Sequence, residues 1–260
     1  MDGNKINSLL NGQLLSIMHM TGIKDFNTFV DIGAADGTYS QAAKDIGFKA
    51  VHCFEPRPNT TLNEKVLSYS SDGSSRIHRC ALSDFNGEVK FFEDQVRGKR
   101  SSLIRPDHPK EQVGNEYLVY YYAVKTLDSF SIKDISFIKI DVEGSELKVI
   151  AGAINTLQDT KAVLLVEISR DCNEVVSALK ELDYIPCGYH GNSESVYEVS
   201  PDLHFLPNPY GKGYLWTDSL RNFNPLSPMY ARENARDDNK YDYKEGLPIW
   251  GDFVFKKVDK

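Results

Sequence analysis

The order of apolar and polar positions predicts an alternating series of strands and helices. Ile6, Leu9, Leu10, Ile17 and Met18 fall on one helical stripe, which predicts an amphipathic lead-in helix over residues 4–20, within an N-terminal segment 1–24. A strand at 27–32 carries Asp31 and runs into the turn Gly33-Ala34-Ala35-Asp36-Gly37, and a helix follows to about residue 46. Lys49 to Glu55 reads as the second strand. Pro56 and Pro58 stop it and suit a first helical turn, so a helix is expected from Asn59 to Leu67. Arg76 to Leu82 reads as a third strand. Strands that alternate with helices imply crossovers and a parallel sheet.

The alternation breaks at Asp84-Phe85-Asn86-Gly87, a turn signal followed at once by another strand, Glu88 to Glu93. No helix fits between these strands, which predicts an added antiparallel hairpin. Residues 94–116 are polar, contain Pro, and carry Arg97, Lys99, Arg100, Arg105 and Lys110. A loop of that length in a compact domain is expected to be a functional lid or a disordered insertion, and the basic side chains favour the lid. Tyr117 to Val124 returns as a strand, and Leu127 to Phe130 forms a short helical turn. Strands at 135–142, 162–168 and 184–189 then alternate with helices at 144–157 and 172–182. Residues 191–260 read as an irregular tail rich in Pro, Gly, Asn and aromatic side chains, with short strands at 195–199, 203–206 and 251–257.

Length allows all of this to form a single domain of 260 residues with a full core. A net charge of -7 argues against a nucleic-acid binder, which needs clustered cationic surface. No apolar run approaches the length of a membrane span, and no basic-then-apolar leader opens the chain. Cys53, Cys80, Cys172 and Cys187 lack metal or redox spacing, so buried thiols in a cytoplasmic, reduced protein are expected.

Ligands of open α/β sheets bind outside the carboxyl ends of the strands, so polar residues at those ends are the candidate chemistry. The first loop is Asp-x-Gly-x-x-x-Gly. Ala35 stands where a dinucleotide fingerprint places its second Gly for a pyrophosphate, which disfavours that ligand. One close backbone approach at Gly33 and an acid at Glu55, able to accept from a ribose diol, suit an adenosine without phosphate. A capped surface turn and an unrelated exposed Glu would explain the same residues. Ser83 and Asp84 end the third strand, where they can reach an adenine amino group or simply form a turn. In the fourth strand, alternation puts Ile138, Ile140 and Val142 on one face and Phe137, Lys139 and Asp141 on the other. A Lys in a central strand is costly to bury unless paired, and Asp141, Glu143 or Glu167 can pair it. Such a cluster is either a structural ion network or acid–base machinery. Carboxylates of Asp141 and Glu167 can also hold a divalent metal on oxygen. His52 and His78 read as packing residues, whereas His108, His190 and His204 can approach a substrate. Tyr189, Tyr197, Tyr210, Tyr214 and Trp216 are candidate platforms for a sugar face or ordinary packing residues.

In combination and in order, F-V-D-I-G-A-A-D-G, C-F-E-P-R-P, C-A-L-S-D-F-N-G, K-T-L-D-S-F, F-I-K-I-D-V-E-G-S-E-L-K-V-I-A-G-A and L-L-V-E-I resemble the FkbM family of S-adenosylmethionine-dependent methyltransferases. The resemblance covers roughly residues 27–170. It implies a class I methyltransferase-like doubly wound α/β fold, with a mostly parallel seven-stranded sheet whose last strand is antiparallel. It also implies O-methyl transfer to a hydroxyl of a sugar, glycan or other small natural product. Residues 27–190 would form the cofactor-binding core. By position, Asp31, Gly33, Ala34, Ala35, Asp36 and Gly37 look like the cofactor loop, with Glu55 and Pro56 at the ribose and Ser83 and Asp84 at the adenine. Asp141 would border the cofactor and act as base, supported by Lys139, Glu143 and Glu167. The first loop departs from many members at Ala35-Asp36. Two alternatives stand beside this reading: an inactive methyltransferase-fold binding module, and an NAD-dependent oxidoreductase, which Ala35 and the fourth-strand motif count against.

Overall fold

A parallel sheet presents two apolar faces, and this chain supplies helices for both. The computed structural model describes residues 3–70, 73–94, 117–168, 171–190, 196–207, 214–217 and 252–258. The first half runs α1 (Gly3–Thr21), β1 (Thr28–Ile32), α2 (Thr38–Asp45), β2 (Ala50–Phe54), α3 (Thr60–Tyr69), β3 (Arg76–His78), β4 (Ala81–Leu82), β5 (Gly87–Asp94) and β6 (Tyr117–Lys125). After a 3-10 turn at Leu127–Phe130 come β7 (Ile135–Ile140), α4 (Glu146–Ala151), α5 (Ile154–Asp159), β8 (Val163–Glu167) and α6 (Cys172–Glu181). The chain continues through β9 (Tyr184–His190), β10 (Val196–Glu198), β11 (His204–Pro207), β12 (Tyr214–Thr217) and β13 (Asp252–Lys257).

The main sheet has the order β10-β9-β13-β8-β7-β1-β2-β3. Strands β3, β2, β1, β7 and β8 are parallel, and β13 lies antiparallel between β8 and β9. These are the seven strands of a class I methyltransferase-like fold with its last strand reversed; β10 adds a short antiparallel edge. One face packs Leu14, Ile17 and Met18 of α1, Ala42 and Ala43 of α2, and Leu62 and Val66 of α3 over Phe29, Val51 and Phe137. The other packs Val149, Ile150, Leu157, Val175 and Leu179 over Val30, Ile32, Ile138 and Ile140. The alternation expected for β7 is therefore present: Ile138 and Ile140 lie on one side, Phe137 and Lys139 on the other. No helix among the described residues is long and apolar enough to cross a membrane.

Three elements differ from expectation. The strand expected from Arg76 to Leu82 is two strands, because β3 pairs with β2 while β4 joins a second sheet of order β4-β6-β5. At the break, the Arg79 guanidinium donates to the carbonyls of Arg57 (2.7 Å) and Glu55 (3.4 Å). The antiparallel hairpin is β5–β6, and β4 lies parallel to β6, so the turn at residues 84–87 does not join paired strands. The helix expected over 144–157 is broken between α4 and α5. There, Gly152 packs so closely that an added Cβ would sit 1.9 Å from the Ser83 carbonyl oxygen. Asp128 starts the second piece by accepting from the backbone N–H groups of Asn155 and Thr156. The expected lid lies, from residue 95 to 116, outside the described residues, as does most of the tail.

Gly33 closes β1 against the end of β7. It holds φ +78°, and a Cβ there would stand 1.8 Å from the Asp141 carbonyl oxygen. Gly22 has nearly the same φ, +74°, with nothing within 4 Å of the added carbon. Gly22→Ala therefore bears only left-handed strain, about 1 kcal/mol. Gly33→Ala adds a backbone clash and should cost at least about 2 kcal/mol, or roughly 4–8 °C in Tm. Thermal melts of the two variants give the comparison. Equal melts would show that the strand ends separate at no cost.

Candidate functional site

Asp31 of β1 and Lys139 of β7 are register partners on neighbouring parallel strands, two residues beyond the stacked pair Phe29 and Phe137. Both are buried. Lys139 Nζ lies 3.6 Å from Asp31 Oδ1, 3.1 Å from Asp141 Oδ2 and 3.4 Å from the Gly33 carbonyl oxygen. Ser40 Oγ donates to Asp31 Oδ2 at 2.5 Å, and the Tyr39 ring centroid lies 4.9 Å from Nζ. Burial alone would push the Lys139 ammonium down, but Asp141 and Asp31 outweigh it and hold the group above its ordinary value. Burial pushes the Asp31 carboxyl up, against the pull of Lys139 and Ser40. Sequence reasoning sought the partner of Lys139 among Asp141, Glu143 and Glu167. Asp141 is one partner; the other is Asp31, which therefore lies beneath the loop after β1 rather than on the cleft wall.

The carboxyl ends of β1, β2, β7 and β8 open above this pair into a cleft of about 410 Å³, within the usual range for small-ligand sites. Gly33, Ala34, Ala35, Asp36, Glu55 and Pro56 line one part of it. Glu55 is held firmly. Its Oε2 accepts from the Ala35 N–H (3.0 Å), and its Oε1 from the N–H and Nε of Arg57 (3.1 and 2.9 Å). Asp36 Oδ1 accepts from the N–H and Oγ1 of Thr38 at the start of α2. Gly37, Ser83 and Asp84 do not line the cleft. Gly37 sits at the N-terminus of α2 with φ +74°, and Leu62 occupies the space a Cβ would need. Asp84 is exposed and accepts from Ser83 Oγ at 2.9 Å.

Asp141, Glu143 and Glu167 line another part, with carboxylate oxygens within 4.8 Å of one another. Glu143 holds φ +55° ahead of Gly144 at +97°, so a non-Gly residue takes left-handed strain where the chain leaves β7. Burial raises the Glu167 carboxyl, helped by the charge of Asp141 and a hydrogen bond to it. Three hard oxygen donors suit a divalent cation such as Mg²⁺. Behind these half-buried groups Glu146 is fully buried and accepts from the Gly144 N–H at 2.9 Å, and burial pushes its carboxyl up to about 7.

Sequence reasoning missed Leu10, Tyr39, Arg57 and Phe91, which all line the cleft. Arg57 lay in plain view inside C-F-E-P-R-P, whereas the other three reach the cleft through long-range packing that no local pattern marks. His52 Nδ1 and His78 Nε2 contact each other at 3.0 Å, as packing residues on adjacent strands. His190 lies 3.7 Å from Asp252 and His204 is exposed; neither lines the cleft. Tyr189 is buried against Phe253 and is a core residue. His108, Tyr210 and the side chains of Tyr197, Tyr214 and Trp216 lie outside what the structure describes.

Known proteins resemble part of this chain. It is 25% identical over 153 residues to the hexuronic acid methyltransferase AglP of Haloferax volcanii, covering 58% of this chain and 60% of that protein. It is 30% identical over 149 residues to the 2-O-methyltransferase NoeI of Sinorhizobium fredii, covering 52% and 60%. The chain thus matches only 60% of the length of each curated relative. Among solved structures, a methyltransferase FkbM from Methylobacillus flagellatus superposes with a TM-score of 0.46 at 19% identity, over 67% of this chain and 43% of that one. Residues 31–186 match the methyltransferase FkbM domain, and this chain belongs to that family of methyltransferases.

Proposed function

We propose that the protein is an S-adenosylmethionine-dependent O-methyltransferase whose acceptor is a hydroxyl of a sugar or related small natural product. The observation that carries this reading is a single cleft with an anchored carboxylate, Glu55, at the end of β2 and a carboxylate cluster at the ends of β7 and β8. Both oxygens of Glu55 are already oriented by N–H donors and retain lone pairs for a ribose diol. Ile32, Phe54, Pro56 and Leu82 supply an apolar wall suited to an adenine. The similarity to a hexuronic acid methyltransferase and a 2-O-methyltransferase supports a sugar acceptor.

S-adenosylmethionine supplies a methyl group already activated on a sulfonium. The residues of the chain must align a hydroxyl with it and receive the hydroxyl proton. Asp141 would receive that proton; supporting this, it lines the cleft and Lys139 donates to its Oδ2 from below. Glu143 and Glu167 flank it, either orienting the acceptor or holding a divalent cation with Asp141.

Two predictions separate these roles. Glu55→Ala should weaken S-adenosylhomocysteine by about 1.5–3 kcal/mol in calorimetric titration, the scale of a charge-assisted hydrogen bond. An unchanged dissociation constant would put the ribose elsewhere. Asp141→Asn should lower turnover at least about a hundredfold with little change in cofactor affinity. Its Tm should stay close to wild type, because Lys139 keeps Asp31 as a partner. Lys139→Met removes the cation beside buried Asp31 and should cost about 3–5 kcal/mol of stability. A melt that falls more for Asp141→Asn than for Lys139→Met would make Asp141 the structural partner and overturn its role as base. Loss of turnover on adding a chelator to the wild type would assign the carboxylate cluster to a metal.

A further inference from the structure

The second sheet carries aromatic side chains out of the cleft. In β5–β6, Phe91 lies directly opposite Tyr120, and Val89 opposite Tyr122. Opposed residues of an antiparallel pair share a face, so these four side chains stand together. Lys90, Val119 and Tyr121 occupy the other face. On the first, Phe91 is 6% exposed and forms part of the cleft wall. Its ring meets Tyr122 edge-on at 5.4 Å, and Tyr122 meets Tyr120 at 5.9 Å with a tilt of 34°. The row ends at Tyr120, which is 40% exposed. Three rings thus run without interruption from inside the cleft to solvent.

We propose that Tyr120 and Tyr122 form a subsite for further sugar units of an oligosaccharide acceptor, making this a methyltransferase of glycans rather than of free monosaccharides. The proposal rests on the sugar-hydroxyl reading above. A pyranose has an apolar C–H face and a hydroxyl rim. A tyrosine offers the matching pair, an apolar ring and a phenolic O–H that both donates and accepts. A wholly apolar acceptor laid on the same row would cover phenolic oxygens without replacing their hydrogen bonds with water, at a desolvation cost. Because the row begins at Phe91 in the cleft wall, a unit stacked on Tyr120 can be continuous with a unit presented to Asp141.

The test is transfer of a labelled methyl group from S-adenosylmethionine to methyl glycosides of a hexose and a hexuronic acid, and to tetrasaccharides of the same units. Wild-type protein should favour the tetrasaccharides in kcat/KM by about tenfold, the upper range for one aromatic contact. Tyr120→Ala should reduce that preference to near one, and Tyr120→Phe should keep most of it. Tyr121→Ala, one residue away on the opposite face and 63% exposed, should keep it fully. Methylation of monosaccharides without any length preference would overturn the subsite and leave the sugar reading standing. Loss of the preference in Tyr121→Ala as complete as in Tyr120→Ala would also overturn it, by tracing the effect to the integrity of the sheet. Binding of S-adenosylhomocysteine with no transfer to any sugar would defeat the sugar reading, and the subsite with it.

Discussion

The contact between Asp31 and Lys139 governs the rest of the structure. Neither charge is tolerable alone at the centre of a sheet, and burying one partner without the other costs several kcal/mol. Their pairing demands that β1 and β7 be neighbours in one register. A slip of one residue would turn Lys139 into the face built from Ile138, Ile140, Val30 and Ile32, and would separate it from Asp31. Everything near the site is counted from this pair along two strands. Two residues back, Phe29 stacks on Phe137. Two residues forward, Gly33 abuts the backbone of Asp141. The same ammonium that makes Asp31 acceptable below also reaches Asp141 above, so one cation serves both the buried strand pair and a carboxylate of the cleft.

Around that pair, the cleft is assembled from distant parts of the chain. β1 and β2 bring the first loop and Glu55; β7 and β8 bring the carboxylates; α1 contributes Leu10, α2 Tyr39 and the second sheet Phe91. The loop after β1 is stiffened by its neighbour strand, since the N–H groups of Gly33 and Ala34 both donate to the Phe54 carbonyl. Glu55 then ties Ala35 to Arg57. Anchoring of this kind sets a carboxylate in place before any ligand arrives, so less ordering cost falls on binding.

Local patterns carried much of this into the sequence. Period-two alternation placed Lys139 and Asp141 on one face of β7 with Phe137, and the proline pair after Glu55 marked the start of α3, where Asn59 accepts from the Leu62 N–H. What local patterns could not carry is which strand lies beside which. The second partner of Lys139, Asp31, stood far earlier in the chain, visible only once the strand order was known. The same limit hid the break after His78 and the interruption at Gly152, because each follows from contact with a remote backbone. Gly33, which lines the cleft, carries a second constraint of this remote kind. Its missing side chain makes room for the Asp141 carbonyl, whatever ligand lies above. Of the aromatic platform sought in the tail, Tyr189 is core and the other side chains lie outside the described residues; among those described, exposed tyrosines stand on β6.

The position of β13 has a consequence for how the molecule is made. Among the described strands it is last in sequence, yet it lies inside the sheet, with β8 on one side and β9 on the other. Until it is inserted, β9 and β10 have no ladder to the parallel strands, and the edge of β8 remains open. Its insertion sets Asp252 opposite Glu167, beside the carboxylate cluster, so the electrostatics of the cleft are completed only at that step. Pairings between such distant segments form slowly, and open strand edges invite association in the meantime. During synthesis the chain must therefore hold a nearly built sheet with a gap in it, and the gap closes only when β13 arrives.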